Sequence, residues 1–360
     1  MKFLDLFAGI GGFRFGMESA GHECVGFCEI DNFARASYKA IHDTRGEIEL
    51  HDITRVTDEF IRGIGRVDII CGGFPCQAFS IAGNRRGFED TRGTLFFEIA
   101  RFASILRPQY LFLENVKGLL NHENGITFET IISTLDELGY DVEWQVLNSK
   151  NFGVPQNRER VFIIGHFRGE CTRRIFPLSG QSQSISNKSV VKIGNVNPSG
   201  NGMNGEVYQA DGLAPTLTTN KGEGQKIAIK SNTIKQFGVL QPNFNQCGVV
   251  YETDGIAPII RAYQGGGLEP KIIQRGHGYN QGGVHEIAPT LTSNSYHENN
   301  HLSFGYRIRK LTPRECWRLQ GFPDWAFDKA QEVNSNSQLY KQAGNSVTIN
   351  VIAAIAKELE

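Results

Sequence analysis

Short, almost uniformly apolar runs alternate with helix-patterned segments through the first 168 residues, and this alternation limits the fold more than any other feature of the chain. The runs KFLDLF (residues 2–7), CVGFCEI (24–30), VDIICGG (67–73) and YLFLENV (110–116) carry too few polar positions for a sheet with one wet face. They suit strands covered on both sides, which is the pattern of a parallel sheet with crossover helices. Between them FRFGMESA, NFARASYKAI, LFFEIARFASIL and TFETIISTLDEL read as helices, and Gly139 is placed to end the last one before YDVEWQVLN and RVFIIGHF extend the sheet. The fold class expected is α/β: a doubly wound, mostly parallel sheet spanning residues 1–168.

From residue 169 Ser, Gly, Asn and Gln dominate and the helical period disappears. NGEVYQADGLAPTLTT from Asn204, CGVVYETDGIAPIIRA from Cys247 and QGGVHEIAPTLTS from Gln281 repeat one pattern at uneven spacing, with Pro215, Pro258 and Pro289 at equivalent points. Uneven spacing argues against a solenoid and for a smaller β-rich domain of duplicated hairpin-and-loop units over 169–308. Order returns in RKLTPRECWRLQGFP, where Thr312-Pro313 reads as an N-cap and first helical residue within a hinge segment, 309–337. The segment 338–360 contains a helix from about Val347 whose apolar residues suit packing back on the first domain. At 360 residues there is room for two cores. No apolar run is long enough to span a bilayer, and MKFLDLFAGIGG enters structure without a cleavable leader. Seven cysteines without a C-x-x-C pair point to a reducing cytoplasm, and nine histidines without zinc-like spacing point to no metal. A net charge of -1 argues against a protein that coats nucleic acid indiscriminately but leaves room for a local basic cleft.

DLFAGIGGF is a strand, a glycine-rich turn and a helix start, the arrangement that lets backbone approach a nucleotide-like ligand. Gly9-Ile10-Gly11 fits a dinucleotide fingerprint, but Arg14 stands where its last glycine would be. Glu29, ending the second run, is placed to accept from ribose hydroxyls, and Asp52, after a third short segment, to meet an adenine amino group. A ligand with ribose and adenine but no pyrophosphate, such as S-adenosylmethionine, suits these positions; solvated strand ends are the alternative.

GGFPCQAFS holds Cys76 between Pro75 and Gln77, just past a strand on the sheet edge where open α/β folds bind ligands. Cys24, Cys28 and Cys71 sit inside apolar runs and read as packing residues; for Cys76 a nucleophile is the better reading. SIAGNRRGFEDTRG sets Gly83, Gly87 and Gly93 among Arg85, Arg86 and Arg92, which describes a lid able to close on phosphates. Glu114 ends the fourth strand on the same edge, where burial would push its carboxyl towards the protonated form that donates to a ring nitrogen. In QNRER, Arg158 and Arg160 point to one face of an extended chain.

Together these motifs resemble the C5-cytosine DNA methyltransferases of the bacterial HhaI type, and their order along the chain is the family's order. FAGIGG resembles the cofactor turn, GFPCQAFS the nucleophile motif, RGTLFFE the segment after the lid, ENV the acid motif and QNRER the arginine motif. RKLTPRECWRLQGFP and QAGNSVTINV resemble the last two motifs. The resemblance implies that Phe7, Gly9, Gly11, Glu29, Asp52, Ile53, Leu95, Asn345 and Val347 line an S-adenosylmethionine site. It makes Cys76 the nucleophile, Glu114 the partner of N3 and the exocyclic amine of cytosine, Arg160 the contact to O2, Arg158 the residue that orders Glu114, and Arg92 a grip on phosphate. Ile30 stands where some members have an aromatic residue, and Ala82 where the HhaI type has serine.

The middle region occupies the place of the family's target-recognition domain, with Arg261, Tyr263 and Gly266 of RAYQGGG as candidate base readers and a plain surface loop as the alternative. The expected partner is double-stranded DNA, bound by a monomer that flips the target base out. A restriction-modification or phage modification role follows, with any cognate endonuclease acting without direct binding. An RNA cytosine methyltransferase of the same fold and a non-catalytic DNA-binding paralogue are the competing readings. Intact Cys76, Glu114 and FAGIGG weigh against the second.

Overall fold

The computed structural model describes residues 1–75, 95–180, 189–196, 205–210, 212–217, 225–230, 236–239, 249–251, 272–274, 283–285, 300–301 and 306–359. They fall into two compact units: Met1–Val190, Gly212–Gly224 and Thr312–Glu360 form the first, Val191–Asp211 and Gln225–Leu311 the second.

The first unit is built on a seven-stranded sheet. Its strands are β1 (Lys2–Leu6), β2 (Glu23–Cys28), β3 (Ile48–Leu50), β4 (Ile69–Gly73), β5 (Tyr110–Val116), β6 (Tyr140–Asn148) and β7 (Glu159–Phe167), in the order β3-β2-β1-β4-β5-β7-β6. β3, β2, β1, β4 and β5 pair in parallel, and β7 runs antiparallel to both neighbours, β5 and β6. The doubly wound, mostly parallel α/β sheet expected from the apolar runs is therefore present. The strand ends are shorter than the runs: β1 stops before Phe7, which turns left-handed at φ 56°, and β2 stops before Glu29. The three-residue β3 and the helix α3 (Asp58–Gly63) carry too little periodicity to stand out in the sequence.

Both faces of the sheet are covered. On one side Leu4, Leu6, Ile70, Leu111, Leu113, Val161 and Ile163 pack with residues of α3, α4 (Leu95–Leu106) and α5 (Ile126–Glu137). On the other, Phe3, Ile69, Cys71, Tyr110, Phe112, Phe162 and Ile164 pack with α1 (Gly12–Ser19) and the carboxy-terminal helix Ile349–Ala356. Each fully buried Leu, Ile or Phe of these layers contributes roughly 1.5–3 kcal/mol of transfer free energy. Because side chains alternate along a strand, Asp5, Glu114 and Arg160 share the second face with the carboxy-terminal helix. α2 (Asn32–Ile41) is capped by Asp31, whose carboxylate accepts from the amides of Phe33 and Ala34.

The carboxy-terminal part forms α6 (Pro313–Leu319), α7 (Asp324–Val333), α8 (Asn336–Asn345) and α9 (Ile349–Ala356). α6 starts as its sequence indicates: Thr312 Oγ1 accepts from Glu315 N, and Glu315 Oε2 accepts from Thr312 N at 2.7 Å, a complete capping box around Pro313. The last helix begins two residues after Val347, with Thr348 as its N-cap.

In the second unit β8 (Lys192–Asn195), β9 (Glu206–Gln209), β10 (Lys226–Lys230) and β16 (Tyr306–Lys310) form one sheet, parallel only between β9 and β10. β11 (Gln236–Val239) pairs with β12 (Val249–Tyr251), and β13 (Ile272–Gln274) lies between β14 (Gly283–His285) and β15 (Asn300–His301). The described residues of this unit are β-rich, as the loss of helical period indicates.

Candidate active site

The carboxyl ends of β3, β2, β1, β4 and β5 meet along one edge of the first unit, and most of the described candidate residues sit on that edge. At its centre the FAGIGG turn leaves β1 through residues in the left-handed region: Phe7 at φ 56°, Gly9 at φ 57° and Gly11 at φ 85°. A β-carbon on Gly11 would lie 2.2 Å from His42 Nε2, so only glycine fits there. Glu29 holds this turn to the next strand: Oε2 accepts from Gly9 N and Oε1 from Asp31 N, each at 2.7 Å. Burial raises the Glu29 pKa despite those two amides. Asp52 caps a 3-10 turn, Ile53–Arg55; its Oδ1 accepts from the Thr54 amide and hydroxyl, and these hydrogen bonds lower its pKa. Ile53 is buried beside that cap, and Arg101 of α4 donates to its carbonyl at 3.0 Å. Leu95 opens α4 and packs, with Phe7, against the core on the other face of the sheet.

Two strands away, Gly73 of β4 pairs with Glu114 of β5, and a β-carbon on Gly73 would stand 3.2 Å from Glu114 Oε2. Glu114 is 7% exposed. Arg160 Nε lies 3.0 Å from Glu114 Oε1 as an ion pair, yet among the described residues Oε1 accepts no aligned hydrogen bond. Burial raises the Glu114 pKa, against the opposing pull of Arg160 and Arg158. The carboxyl group is therefore easier to protonate than a surface glutamate and retains bonding capacity. Asn115, buried next to it, donates to the Phe74 carbonyl at 2.9 Å and so pins the backbone two residues before Cys76.

Arg158 shares the charged environment of Glu114 but is held elsewhere. Its Nη2 donates to Ser346 O at 2.7 Å, and both terminal nitrogens lie 3.4 Å from Gly344 O. These carbonyls belong to the end of α8 and the loop after it, so a cation there satisfies acceptors that the helix leaves open and complements its dipole. Asn345, exposed, is the last residue of α8, and Val347 in the loop after it packs on the glycine turn: a β-carbon on Gly12 would lie 2.7 Å from Val347 Cγ2. The cofactor candidates and the acid candidate thus meet through one loop. Cys76, Arg85, Arg86, Arg92, Arg261, Tyr263 and Gly266 lie outside the described residues. Among the described residues no cluster of three or more His, Cys, Asp or Glu side chains is arranged to hold a metal.

Sequence reasoning passed over Asp5, Asn115 and Gln320. Polar residues inside apolar runs were the available signal, because a buried polar group needs a reason to be there. Asp5 is wholly buried on β1, and neither oxygen has a hydrogen-bond partner among the described residues. Burial pushes its pKa up to about 8, with Arg14 opposing. A folded-state pKa above the unfolded value means the native state keeps a proton that the unfolded chain releases. The contribution of Asp5 to stability is then greatest below pH 3.8 and falls as pH rises towards about 8. The expected slope is about 1.4 kcal/mol per pH unit. Asp5→Asn removes this dependence, so in urea titrations the variant gains on the wild type steadily between pH 5 and pH 7. A constant difference across that range would show that Asp5 is ionised in the native state.

Comparison with known proteins agrees with this geometry. The family model for C-5 cytosine-specific DNA methylases matches residues 1–360. The type II methyltransferase M.HpaII of Haemophilus parainfluenzae is 39% identical over 363 residues, covering 99% of this chain and 88% of that protein. M.HhaI of Haemophilus parahaemolyticus is 36% identical, covering 99% and 93%. The orphan methyltransferase M.SPRI of Bacillus phage SPR is also 36% identical, covering 100% and 97%. Among solved structures, a Spodoptera frugiperda DNMT2 variant covers 99% of this chain and 98% of its own at TM-score 0.58 and 20% identity. The S. pombe Dnmt2 methyltransferase aligns at TM-score 0.58 and 18% identity, covering 98% and 96%; at such identities these two speak for the fold alone. With the family model across its whole length and relatives this similar, the chain belongs to the C-5 cytosine-specific DNA methylases and is a DNA (cytosine-5-)-methyltransferase.

Proposed function

We propose that the protein methylates C5 of a cytosine flipped out of duplex DNA at a short specific site, using S-adenosylmethionine. The observation that carries this reading is the buried Glu114–Arg160 pair, set beside the strand that leads through Phe74 and Pro75 to Cys76.

The residues present fit the cofactor. Nothing lies within 4 Å of a β-carbon built on Gly9, so the turn leaves open space where a ligand's backbone-facing edge would rest. Each Glu29 oxygen takes one amide and keeps a lone pair for a ribose hydroxyl. Ile30, 67% exposed next to it, offers an apolar surface to a flat ring. Phe7, Gly11, Asp52, Ile53, Leu95, Asn345 and Val347 complete the proposed lining. When bound, S-adenosylmethionine supplies a methyl group on a sulfonium, electrophilic enough for a carbon nucleophile.

Cytosine C5 is a weak nucleophile until the ring is activated. The Cys76 thiolate adds to C6, which pushes electron density towards C5 and N3. Glu114 donates a proton to N3 as that charge develops and accepts from the exocyclic amine, while Arg160 binds O2. Arg158 fixes the loop behind Glu114. After methylation the C5 proton leaves to ordered water or hydroxide, the Cys76–C6 bond breaks to restore the thiolate, and N3 returns its proton to Glu114. A stacked base offers no access for this addition, so the cytosine is extruded at a cost of about a few kcal/mol. Arg85, Arg86 and Arg92 hold phosphate in that state. The second unit serves as target-recognition domain, with Arg261, Tyr263 and Gly266 towards base edges. The enzyme works as a monomer in the cytoplasm, in phage or restriction-modification DNA modification, without binding an endonuclease.

Transfer of tritiated methyl groups to duplex DNA, single-stranded DNA and RNA tests the substrate. Duplex DNA is expected to be labelled best; label confined to RNA would overturn the reading.

A further inference from the structure

Gln320 is fully buried at the end of α6, and every polar atom of its side chain is used on the far side of a sequence gap. Nε2 donates to Ala343 O at 2.8 Å, and Oε1 accepts from Thr348 Oγ1 at 2.9 Å. Its backbone carbonyl accepts from Ile349 N at 3.0 Å. Thr348 Oγ1 also lies 2.8 Å from Ser149 Oγ, at the corner between β6 and β7. With the Thr348 proton directed at Gln320, Ser149 is the donor in that second contact.

These bonds close around residues 343–348. Ala343 O is held by Gln320, and Gly344 O and Ser346 O by Arg158. Two side chains from separate elements thus take up carbonyls at the end of α8, acceptors that a helix cannot satisfy itself. Between those fixed points stands Asn345, exposed, and just beyond them Val347, packed on the glycine turn. An amide is the side chain that suits this place, since the site requires one donor and one acceptor on the same group.

We infer that Gln320 is a positioning residue for the cofactor: it sets residues 343–348 so that Asn345 and Val347 face the ligand held by the FAGIGG turn. The inference rests on the S-adenosylmethionine reading above. Gln320 touches no reacting atom. Its loss relaxes residues 343–348 on the cofactor side, while the Glu114–Arg160 pair keeps its place on β5 and β7.

Calorimetric titration with S-adenosylmethionine, with melting temperature and steady-state kinetics on the same samples, tests it. Gln320→Met keeps the volume and removes both side-chain hydrogen bonds; Thr348→Val removes one of them together with the Ser149 contact; Thr348→Ser keeps the hydroxyl that makes both. The dissociation constant is expected to rise about tenfold in Gln320→Met and about threefold in Thr348→Val, and to stay near wild type in Thr348→Ser. Turnover at saturating cofactor should remain within about twofold. An unchanged dissociation constant in Gln320→Met overturns the inference, as does a loss of kcat at saturation without weaker binding, which marks general structural damage. Should Gln320→Met not fold, the contrast between Thr348→Val and Thr348→Ser decides, and equal binding by those two overturns it. Failure of the wild type to bind S-adenosylmethionine would instead remove the functional reading itself.

Discussion

Cys76→Ser is expected to abolish methyl transfer, lowering turnover by about four orders of magnitude or more while DNA affinity stays near that of the wild type. A serine hydroxyl is not ionised near neutral pH, and an alkoxide is both harder to form and a poorer leaving group from C6 than a thiolate. Duplex DNA carrying 5-fluorocytosine at the target position isolates this step. Fluorine at C5 cannot leave as a proton does, so the Cys76–C6 bond formed in the forward reaction persists. The wild type should yield a protein–DNA adduct that survives denaturing electrophoresis, and Cys76→Ser none. An adduct with the variant would move the nucleophile elsewhere.

Glu114→Gln separates proton donation from hydrogen bonding. Glutamine matches the shape and can still offer an N–H, but it has no proton to transfer to N3. General acid catalysis contributes about two to four orders of magnitude, and kcat should fall by that amount with base and cofactor binding retained. Burial already resists ionisation of this carboxyl, the opposing arginines notwithstanding. The neutral variant should therefore melt no lower than the wild type at neutral pH. The wild type's folded-state pKa lies above the unfolded value, so this group's contribution to stability is greatest at low pH and declines as pH rises past the usual glutamate range. Wild-type turnover in Glu114→Gln would deny the side chain any role in proton transfer.

The sheet was legible in the sequence because its strands are buried on both faces. Runs such as YLFLENV admit few other structures, and the helices between them carry their own period and caps. The N-cap at Thr312 and Pro313 as first helical residue were legible because they are local chemistry, while the reciprocal bond from Glu315 came only with the structure. What escaped was set by distance along the chain. Gln320 meets Ala343 and Thr348 at separations of 23 and 28 residues, with α7 and α8 in between, and Arg158 meets Ser346 at a separation of 188 residues. No window of sequence carries those pairings. Glu29 shows a third case, since its place at a strand end suggested a ligand-facing carboxylate but not that both oxygens would brace backbone amides. The two uses are compatible, because a carboxylate has lone pairs for both.

Cytosine modification in duplex DNA is the activity from which every assigned role follows. Bisulfite sequencing of mixed-sequence duplex DNA, incubated with the purified protein and S-adenosylmethionine beside a Cys76→Ser control, tests it most directly. The prediction is protected cytosines confined to one short motif with the wild type and absent from the control. Fully converted cytosines from a folded, cofactor-binding wild type would contradict it.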